Sequence, residues 1–408
     1  MIQREAYMKH LVAFQDKPVI KVVTGMRRTG KSVLLALYRD HLLAQGIPSD
    51  RIHLVNFESM AFADGMTYLE LYERVRNWMQ TPGRHYLLLD EIQQVSGWER
   101  AVNSFRVDFD VDLTLTGSNA ALLSSELSTL LSGRYVEIRM FPLSFREYLD
   151  FVGDPGPAGR MAAFGRYLQY GGLPLVPSLP DEPEIVRSYL AGIYHTVIVK
   201  DVIQRNQVRD GALLERLMVY MAETIGNPVS VKKISDTLCS FGHRTTVDTI
   251  DQYLGLLEKA YILYRADRYD TRGKSLLKTQ AKYYIVDTGI RNELLGFGRS
   301  DFGRVYENLV YFELLRRGYR VTVGKVDNLE VDFIASRMDR TAYFQVTASL
   351  ADDQAMEREI RPLLDLRDNY DKTILCLDTF PHAAQDRGIR LKNLLDFLLE
   401  PESDASSP

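Results

Sequence analysis

Residues 19–32 read VIKVVTGMRRTGKS, and this stretch decides the fold. Its first six residues form an apolar run that predicts a buried strand, and its last eight match the pattern G-x-x-x-x-G-K-[ST]. A helix is predicted to follow from Lys31 to about Gln45, because leucines recur there near helical spacing. A strand, a glycine-containing loop and a helix in this order predict a loop that binds the phosphates of a nucleotide.

Each residue type in this loop has a physical role in binding phosphate. Gly25 and Gly30 allow the backbone to curl, so that main-chain N–H groups point at phosphate oxygens. Lys31 is expected to reach the β- and γ-phosphates, and the Ser32 hydroxyl is expected to bind Mg²⁺. The two loop arginines fit either additional phosphate contacts or solvated loop charges. The predicted nucleotide-binding residues are Gly25, Arg28, Thr29, Gly30, Lys31, Ser32 and Val33.

An acidic motif follows about 60 residues later, where HYLLLD at residues 85–90 predicts another buried strand. Asp90 is predicted to hold Mg²⁺, and Glu91 to polarise the attacking water as a general base. The alternative is an acidic turn without function, and the phosphate loop upstream argues against it. A second acid directly after the magnesium aspartate favours an ATPase over a Ras-like switch or a small-molecule kinase. ATP and Mg²⁺ are therefore the expected cofactors.

Three further segments are candidates for the catalytic face. The predicted strand at residues 112–117 is followed by Ser118 and Asn119, of which Asn119 is the first choice for contacting the γ-phosphate or the attacking water. Arg134 lies on a glycine-containing turn and is a candidate arginine finger for a neighbouring subunit, with a plain surface arginine as the alternative. The sequence leaves open whether it acts in cis or in trans. Residues 57–58 are a weaker candidate.

Composition limits the class of protein. The chain has 408 residues, 46% of them hydrophobic and 25% charged, which predicts a globular protein of several domains. The formal net charge of −4 argues mildly against a dedicated nucleic-acid module, which is usually basic. Cys239 and Cys376 stand far apart and allow neither a disulfide framework nor a metal site. With no membrane span predicted, we expect a cytoplasmic protein.

The pattern of elements changes along the chain. Strands alternate with helices up to about residue 150, which predicts a mostly parallel sheet covered on both faces. A Pro- and Gly-rich cluster at residues 153–159 predicts a boundary. Residues 226 to about 270 follow the order short helix, turn, longer helix and strand, which is typical of a helix-turn-helix or winged helix. Residues 280–400 predict a separate α/β domain.

Several motifs taken together resemble a known family. GMRRTGKS, LLLDEIQ, TGSNA and LSGRY followed by FPLSFREYL resemble AAA-superfamily ATPases of the archaeal-ATPase type. YGGLP, VIVKDV, YENLVYFELLRRG and EVDFIA resemble the C-terminal region that accompanies that ATPase domain. The resemblance covers nearly the whole chain. It implies an α/β AAA-type P-loop NTPase domain at 1–155, a helical linker or lid at 156–225, a winged-helix-like domain at 226–278 and a restriction-endonuclease-like α/β domain at 279–400. The polar composition of residues 401–408 predicts a disordered tail.

The resemblance implies a nuclease-type site in the last domain. Nucleases of that fold use an acid on a helix, an acid on a strand and an acid-x-Lys on the next strand. Glu307 and Asp332 match the first two, whereas Gln345 takes the third acid position and Thr347 the lysine position. Because threonine cannot bring positive charge to a phosphate, the expected site is vestigial. Active cleavage and another binding role are the alternatives.

The winged-helix-like segment carries candidate DNA-binding residues. Arg244 and Thr246 are predicted on its second helix, and Arg272 and Lys274 in its wing. Three more cations complete the local basic run, namely Arg268, Lys278 and Lys282. A protein-protein module or a lid on the ATPase core remains an alternative.

Three functional hypotheses follow from the sequence. The leading one is a homo-oligomeric ATPase that couples Mg-ATP hydrolysis to conformational work on a partner, with DNA as the first candidate. The second is a nucleotide-controlled switch or scaffold acting on proteins in defence or stress signalling. The third is an ATP-dependent nuclease.

Overall fold

Two compact units make up the chain, Met1–Pro142 with Lys259–Tyr261, and Leu143–Glu258 with Ile262–Pro408. The computed structural model describes residues 4–62, 65–123, 133–204, 206–298, 301–338, 340–381 and 384–401. The predicted tail lies outside the described residues from position 402 onward. In the described parts of the chain, no helix combines the length and the apolar character needed to cross a membrane.

A parallel sheet forms the centre of the first unit. Its strands are β1 (Ile20–Thr24), β2 (Ile52–Asn56), β3 (His85–Asp90), β4 (Val111–Gly117) and β5 (Tyr135–Arg139). Its helices are α1 (Glu5–Ala13), α2 (Lys31–Ala44), α3 (Tyr68–Trp78) and α4 (Trp98–Asp108). The strand order is β2-β3-β4-β1-β5, and every neighbouring pair is parallel. The predicted parallel α/β sheet is confirmed, whereas β5 was not predicted.

Both faces of this sheet are covered by apolar packing. On β3, Leu87 and Leu89 belong to one buried cluster, and Tyr86 and Leu88 belong to another. Successive side chains of a strand point to opposite faces, so the two clusters lie on the two sides of the sheet. This two-sided burial explains why the strands read as continuous apolar runs rather than as alternating patterns.

The second unit combines helices with a larger sheet. Its first helices are α5 (Phe145–Val152), α6 (Gly156–Tyr170), α7 (Pro183–His195), α8 (Gly211–Glu223), α9 (Val231–Ser240) and α10 (Val247–Lys259), with a π-helical segment at Thr196–Gln204. The later helices are α11 (Thr288–Leu295), α12 (Phe302–Arg316), α13 (Asp353–Leu364) and α14 (Leu394–Leu399). The strands are β6 (Leu263–Asp270), β7 (Ser275–Ile285), β8 (Arg320–Val326), β9 (Leu329–Arg337), β10 (Arg340–Val346), β11 (Asp371–Cys376), β12 (Gln385–Asp386) and β13 (Ile389–Asn393).

The predicted wing belongs to this larger sheet. Within the described residues the strand order is β12-β13-β11-β10-β9-β8-β6-β7. β6 and β7 form an antiparallel hairpin, and β6 also pairs in parallel with β8, where Arg268 is opposite Val323. The boundary expected between residues 278 and 279 therefore falls inside β7. The two preceding helices occur where the sequence predicts them, but the hairpin after them continues into a shared sheet instead of closing a separate small domain.

The YGGLP motif forms a turn around a buried carboxylate. Gly171 has a φ of +78°, and a Cβ atom there would lie 2.1 Å from Asp287 Oδ1. The Gly172 N–H donates to Asp287 Oδ2 at 2.8 Å, and Asp287 also caps α11 by accepting from Gly289 N and Ile290 N. Gly171 is thus explained by the close approach of this side chain, and Gly172 by the Leu143 carbonyl oxygen, which would lie 2.4 Å from a Cβ atom there.

Candidate active site

The phosphate loop connects β1 to α2 through two glycines in the left-handed region. Gly25 has a φ of +142° and Gly30 a φ of +98°, which other residues rarely adopt. A Cβ atom on Gly25 would lie 2.1 Å from the carbonyl oxygen of Met140. The path of the loop therefore favours glycine at both positions.

Lys31 is buried at the start of α2, and the loop itself holds its ammonium. Its Nζ donates to the carbonyl oxygens of Gly25 at 3.0 Å and Met26 at 3.1 Å. The same Nζ lies 3.7 Å from Glu91 Oε1. The lysine predicted to bind phosphate thus lies next to the carboxylate predicted to act as the base.

The remaining predicted nucleotide-binding residues differ in exposure. Thr29 is buried, and its hydroxyl donates to the carbonyl oxygen of Met26 at 2.9 Å. Arg28 is exposed, with a φ of +66°. Ser32 and Val33 are exposed in the first turn of α2, where main-chain N–H groups have no partner within the helix. These donors and the positive end of the helix dipole suit an anionic ligand.

Strand register brings the acidic pair to the phosphate loop. β4 lies between β1 and β3, and the three strands run parallel. Leu89 pairs with Leu115, so the next residue, Asp90, is level with Thr116. Thr116 pairs with Val23, and the phosphate loop begins two residues later. The acids and the loop therefore leave the sheet at the same edge.

Asp90 is buried and surrounded by hydrogen-bond donors. Its Oδ1 accepts from Thr116 Oγ1 at 2.5 Å, and its Oδ2 accepts from Asn56 Nδ2 at 2.8 Å. The hydroxyl of Ser32 also bonds to it. Burial raises the pKa of Asp90, because the charged form has lost most of its water. A cation bound to Asp90 and Ser32 would stabilise the carboxylate, and both supply the oxygen ligands that Mg²⁺ prefers.

Glu91 combines a strained backbone conformation with a carboxylate that accepts two side-chain hydrogen bonds. Its φ of +53° is uncommon for a residue other than glycine, and such strain is concentrated at functional sites. Its Oε2 accepts from Ser118 Oγ at 3.1 Å and from Gln93 Nε2. Burial would raise the pKa of Glu91, but the positive charges of Lys31 and Arg27 together with the hydrogen bonds from Gln93 and Ser118 outweigh it, so that the pKa falls. The carboxylate is therefore ionised, as a general base requires.

The polar end of β4 contributes a serine contact. Ser118 and Asn119 are both buried at the edge where the acids lie. Ser118 contacts Glu91 directly, and Asn119 accepts a backbone hydrogen bond from Leu122 at 3.1 Å through its carbonyl oxygen. The structure thus places Ser118, the second choice from the sequence, in contact with the predicted base Glu91. Asn119, the first choice, is the next residue along the chain.

Phe57 and Glu58, the weaker candidates after β2, have different environments. Phe57 is buried in the apolar cluster on one face of the sheet. Glu58 Oε1 accepts from Arg27 Nη1 at 2.7 Å. The first loop arginine is therefore paired in this structure, and its charge also contributes to lowering the pKa of Glu91.

Arg134 lies at the opposite edge of the parallel sheet. It precedes β5, and its carbonyl oxygen accepts from the Ile20 N–H at the amino end of β1. β1 is five residues long, which separates this edge from the phosphate loop by about 16 Å at 3.3 Å per residue. The exposed side chain of Arg134 lies close enough to Arg106 for its charge, after burial, to lower the pKa of that residue. Arg134 does not join the acids of its own chain.

Four contacts to the site were not assigned from the sequence. Asn56 and Thr116 bond to Asp90, and Gln93 bonds to Glu91. Arg4 donates from Nη1 to the carbonyl oxygen of Thr29 at 3.2 Å, so that it braces the phosphate loop. Polar residues at the ends of predicted neighbouring strands could have indicated Asn56 and Thr116, whereas nothing in the sequence pattern indicates Arg4 as a contact.

The predicted DNA-binding residues are partly engaged in the second unit itself. Arg244 is exposed, whereas the Thr246 hydroxyl accepts from Thr249 N at 3.2 Å at the start of α10. Arg272 forms an ion pair with Asp327, and Lys274 is exposed. The expected basic run is shorter than predicted, because Arg268 pairs with Glu330 and Lys282 is buried. The side chain of Lys278 lies outside the described residues.

The predicted vestigial residues do come together in the larger sheet. Glu307 on α12, Asp332 on β9 and Gln345 on β10 are all buried. Gln345 Oε1 accepts from Asp332 N at 3.2 Å, and both Glu307 and Asp332 pair with Lys282. Lys282 was expected in an exposed wing, and its place in this cluster corrects that prediction. On β7 its side chain is buried against Glu307 and Asp332 rather than exposed to solvent.

Comparisons with known proteins agree with the first unit. A family profile described as an AAA domain matches residues 17–149, and one described as a domain of unknown function (DUF8612) matches residues 161–301. The Walker-type ATPase of Pyrococcus abyssi is 15% identical, with a TM-score of 0.51 over 72% of this chain and 96% of that chain. At this identity the similarity concerns the fold alone.

Fold and site together define an AAA-type P-loop ATPase domain. An uncharacterized protein of Haemophilus influenzae is 42% identical over 405 residues, which are 98% of this chain and 99% of that protein. An uncharacterized protein of Methanocaldococcus jannaschii is 29% identical over 330 residues, 77% of this chain and 71% of that protein. The chain belongs to the family of the Haemophilus influenzae protein. In this chain the match to the AAA domain precedes the match to the domain of unknown function.

Proposed function

We propose that this protein hydrolyses Mg-ATP at the edge of the parallel sheet and couples the reaction to conformational work on a partner. The observation that carries the proposal is the meeting of Lys31, Asp90 and Glu91 beside a glycine loop at one sheet edge. This set provides phosphate binding, metal binding and proton acceptance within one site.

Lys31 is the group that changes partners when the nucleotide binds. Its present acceptors are two loop carbonyls and a carboxylate. A triphosphate offers stronger, charged acceptors, so the ammonium turns to the β- and γ-phosphates while loop N–H groups bind the same oxygens. Lys31→Ala should abolish nucleotide binding or nearly so, which a titration with a fluorescent ATP analogue measures.

Ser32 and Asp90 fit the magnesium ion that accompanies ATP. One is a hydroxyl at the start of α2, and the other is a buried carboxylate whose ionised form gains from a nearby cation. When bound, Mg²⁺ neutralises charge that develops on the phosphate oxygens. Asn56 and Thr116 orient the Asp90 carboxylate by donating to its two oxygens.

Glu91 acts on the water that attacks the γ-phosphorus. The water oxygen forms a bond to phosphorus while the bond from phosphorus to the bridging oxygen breaks, which gives ADP and phosphate. The carboxylate accepts the proton that the water loses. Ser118 and Gln93 hold the carboxylate in position through its Oε2.

We propose that Arg134 completes the site of a neighbouring copy, since its own site lies at the other sheet edge. Positive charge from this arginine would stabilise the transferring phosphoryl group in trans. Mixing Arg134→Ala with Glu91→Gln subunits tests the idea, because each mixed pair can contain one site with both wild-type residues. Recovered turnover in the mixture supports donation in trans, and turnover no higher than the sum of the two variants contradicts it.

DNA is the proposed partner, and two exposed cations of the second unit, Arg244 and Lys274, support it. With a net charge of −4, contact with DNA would be local rather than spread over the surface. ATP turnover measured with single-stranded, duplex and branched DNA tests this partner. Stimulation that weakens with salt and is lost in Arg244→Ala/Lys274→Ala supports it. Turnover indifferent to DNA favours a switch or scaffold that acts on proteins.

We expect the work to take place in the cytoplasm, since two distant cysteines need no oxidising compartment.

A further inference from the structure

The acidic cluster of the larger sheet is built around an ammonium group. Lys282 Nζ lies 2.7 Å from Glu307 Oε1 and 2.8 Å from Glu330 Oε1. A third carboxylate oxygen, Asp332 Oδ1, is 3.5 Å away. The lysine side chain is only 3% exposed. Three acids from a helix and a strand therefore share one internal cation.

Two of these carboxylates also accept hydrogen bonds from other groups of the protein. Glu307 Oε1 also accepts from Tyr284 OH at 2.6 Å, and Asp332 Oδ2 accepts from Val346 N at 2.9 Å. On the outer side, a Cβ atom on Gly226 would lie 2.9 Å from Glu307 Oε2, so backbone covers that carboxylate closely. Glu307 and Asp332 are thus enclosed by hydrogen bonds and by packing, whereas the Glu330 side chain is 28% exposed.

Resemblance to restriction-endonuclease-like folds implies a divalent cation bound by Glu307 and Asp332, and the residues present do not fit that ion. A cation already lies between these carboxylates, and it belongs to the chain. In the part of the chain that the structure describes, no group of three or more acidic, histidine or cysteine side chains is arranged to hold a metal.

We infer that the Lys282 ammonium takes the place of a divalent metal ion, so that this centre is a metal-free ion-pair core rather than a nuclease site. An ammonium 2.7–2.8 Å from two carboxylates occupies nearly the position of an ion bound at about 2.1 Å. Thr347 brings no positive charge to this centre, and the ammonium of Lys282 on β7 supplies it from within the cluster.

Removing the ammonium tests whether Lys282 is what keeps a divalent ion out of the cluster. In Lys282→Ala, three carboxylates lose their shared cation, and the shortened side chain leaves room for an ion around which the acids can close. Nucleotide-free protein is titrated with Mn²⁺, and free Mn²⁺ is measured by electron paramagnetic resonance. We expect Lys282→Ala to bind one more Mn²⁺ per chain than wild type, and Lys282→Ala/Asp332→Asn to lose that ion again. Lys325→Ala removes a lysine elsewhere in the same sheet and should leave the count unchanged.

A second test compares wild-type protein with a variant that keeps Lys282 and changes only Asp332. The wild-type Mn²⁺ count should not change in Asp332→Asn, because no ion is bound there. A count that falls in Asp332→Asn overturns the inference, since the acids would then hold a metal beside Lys282. A folded Lys282→Ala that gains no ion overturns it as well. If Lys282→Ala is unstable in metal-free buffer, Mn²⁺ should raise its Tm, whereas the Tm of Lys325→Ala should stay the same.

Discussion

Replacing Glu91 with glutamine tests the chemistry of the site with a minimal change of shape. The amide keeps the volume of the side chain and can still accept from Ser118, but it cannot take a proton from water. A general base contributes about 10²- to 10⁴-fold to rate. This factor corresponds to about 3 to 5 kcal/mol of activation free energy. We therefore expect turnover at saturating ATP to fall by that factor.

Binding of ATP should respond in the opposite sense. Lys31 Nζ lies 3.7 Å from Glu91 Oε1, and both groups are more than 90% buried. At an effective dielectric of about 20, the gross attraction at this distance is about 4 kcal/mol, before any cost of desolvation. The lysine gives up part of this attraction when it turns to phosphate. Removing the carboxylate charge should therefore leave ATP affinity unchanged or increase it.

The assay combines phosphate release with titration of a fluorescent ATP analogue at fixed Mg²⁺ and salt. Glu73→Gln is a matched control, because it makes the same chemical change in an exposed pair with Arg76. The control should keep both turnover and affinity. Turnover of Glu91→Gln within about fivefold of wild type would refute the role of the base, given the size expected of one. A loss of ATP binding would refute the electrostatic argument instead.

Three further changes probe the loop, the magnesium acid and the buried turn. Gly25→Ala should lower Tm and ATP affinity, because strain at a φ of +142° alone costs roughly 1–3 kcal/mol. The control Gly46→Ala, at a φ of +84° with open space around it, should keep its affinity for ATP. Asn56→Ala removes a donor to Asp90 and should raise the Mg²⁺ concentration for half-maximal turnover, which an unchanged Mg²⁺ titration would contradict. Burial raises the pKa of Asp287 from 3.8 to about 6, so the folded chain binds this proton more tightly than the unfolded chain. Its contribution to stability is therefore greatest below pH 4 and falls by about 3 kcal/mol as pH rises to 6. Asp287→Asn lacks this slope, so the stability gap between wild type and variant in urea unfolding should narrow over that window.

The active-site elements could be predicted because their signals are local. The glycine loop, the apolar strand before it and the helix after it lie within 26 consecutive residues, from Ile20 to Gln45. The strand at His85–Asp90 was predicted with the bounds that the structure shows. In both cases the backbone geometry depends on residues that are neighbours in sequence, so a single sequence contains the information.

Edge strands and contacts between residues far apart in sequence were harder to predict. β5 has one fully buried residue, Ile138, because it lies at the end of the parallel sheet with one strand neighbour. Its sequence YVEIR therefore lacks the continuous apolar run of β3. The prediction that Lys282 lies in an exposed wing was wrong for a different reason. Its partner Glu307 is 25 residues away, and the local sequence indicates only a charged residue in a strand.

The polarity of a parallel sheet has a consequence for how the site can work. All five strands end at the edge that holds the phosphate loop and the acids, and β5 begins at the edge that holds Arg134. No change of side-chain rotamer spans the length of β1, which is about 16 Å. If Arg134 contributes to the proposed hydrolysis, a second copy must place its own Arg134 against the site. Turnover per chain should then rise with protein concentration in wild type but remain low and constant in Arg134→Ala. Under this proposal, the separation of base and arginine on opposite edges would link the rate of hydrolysis to assembly.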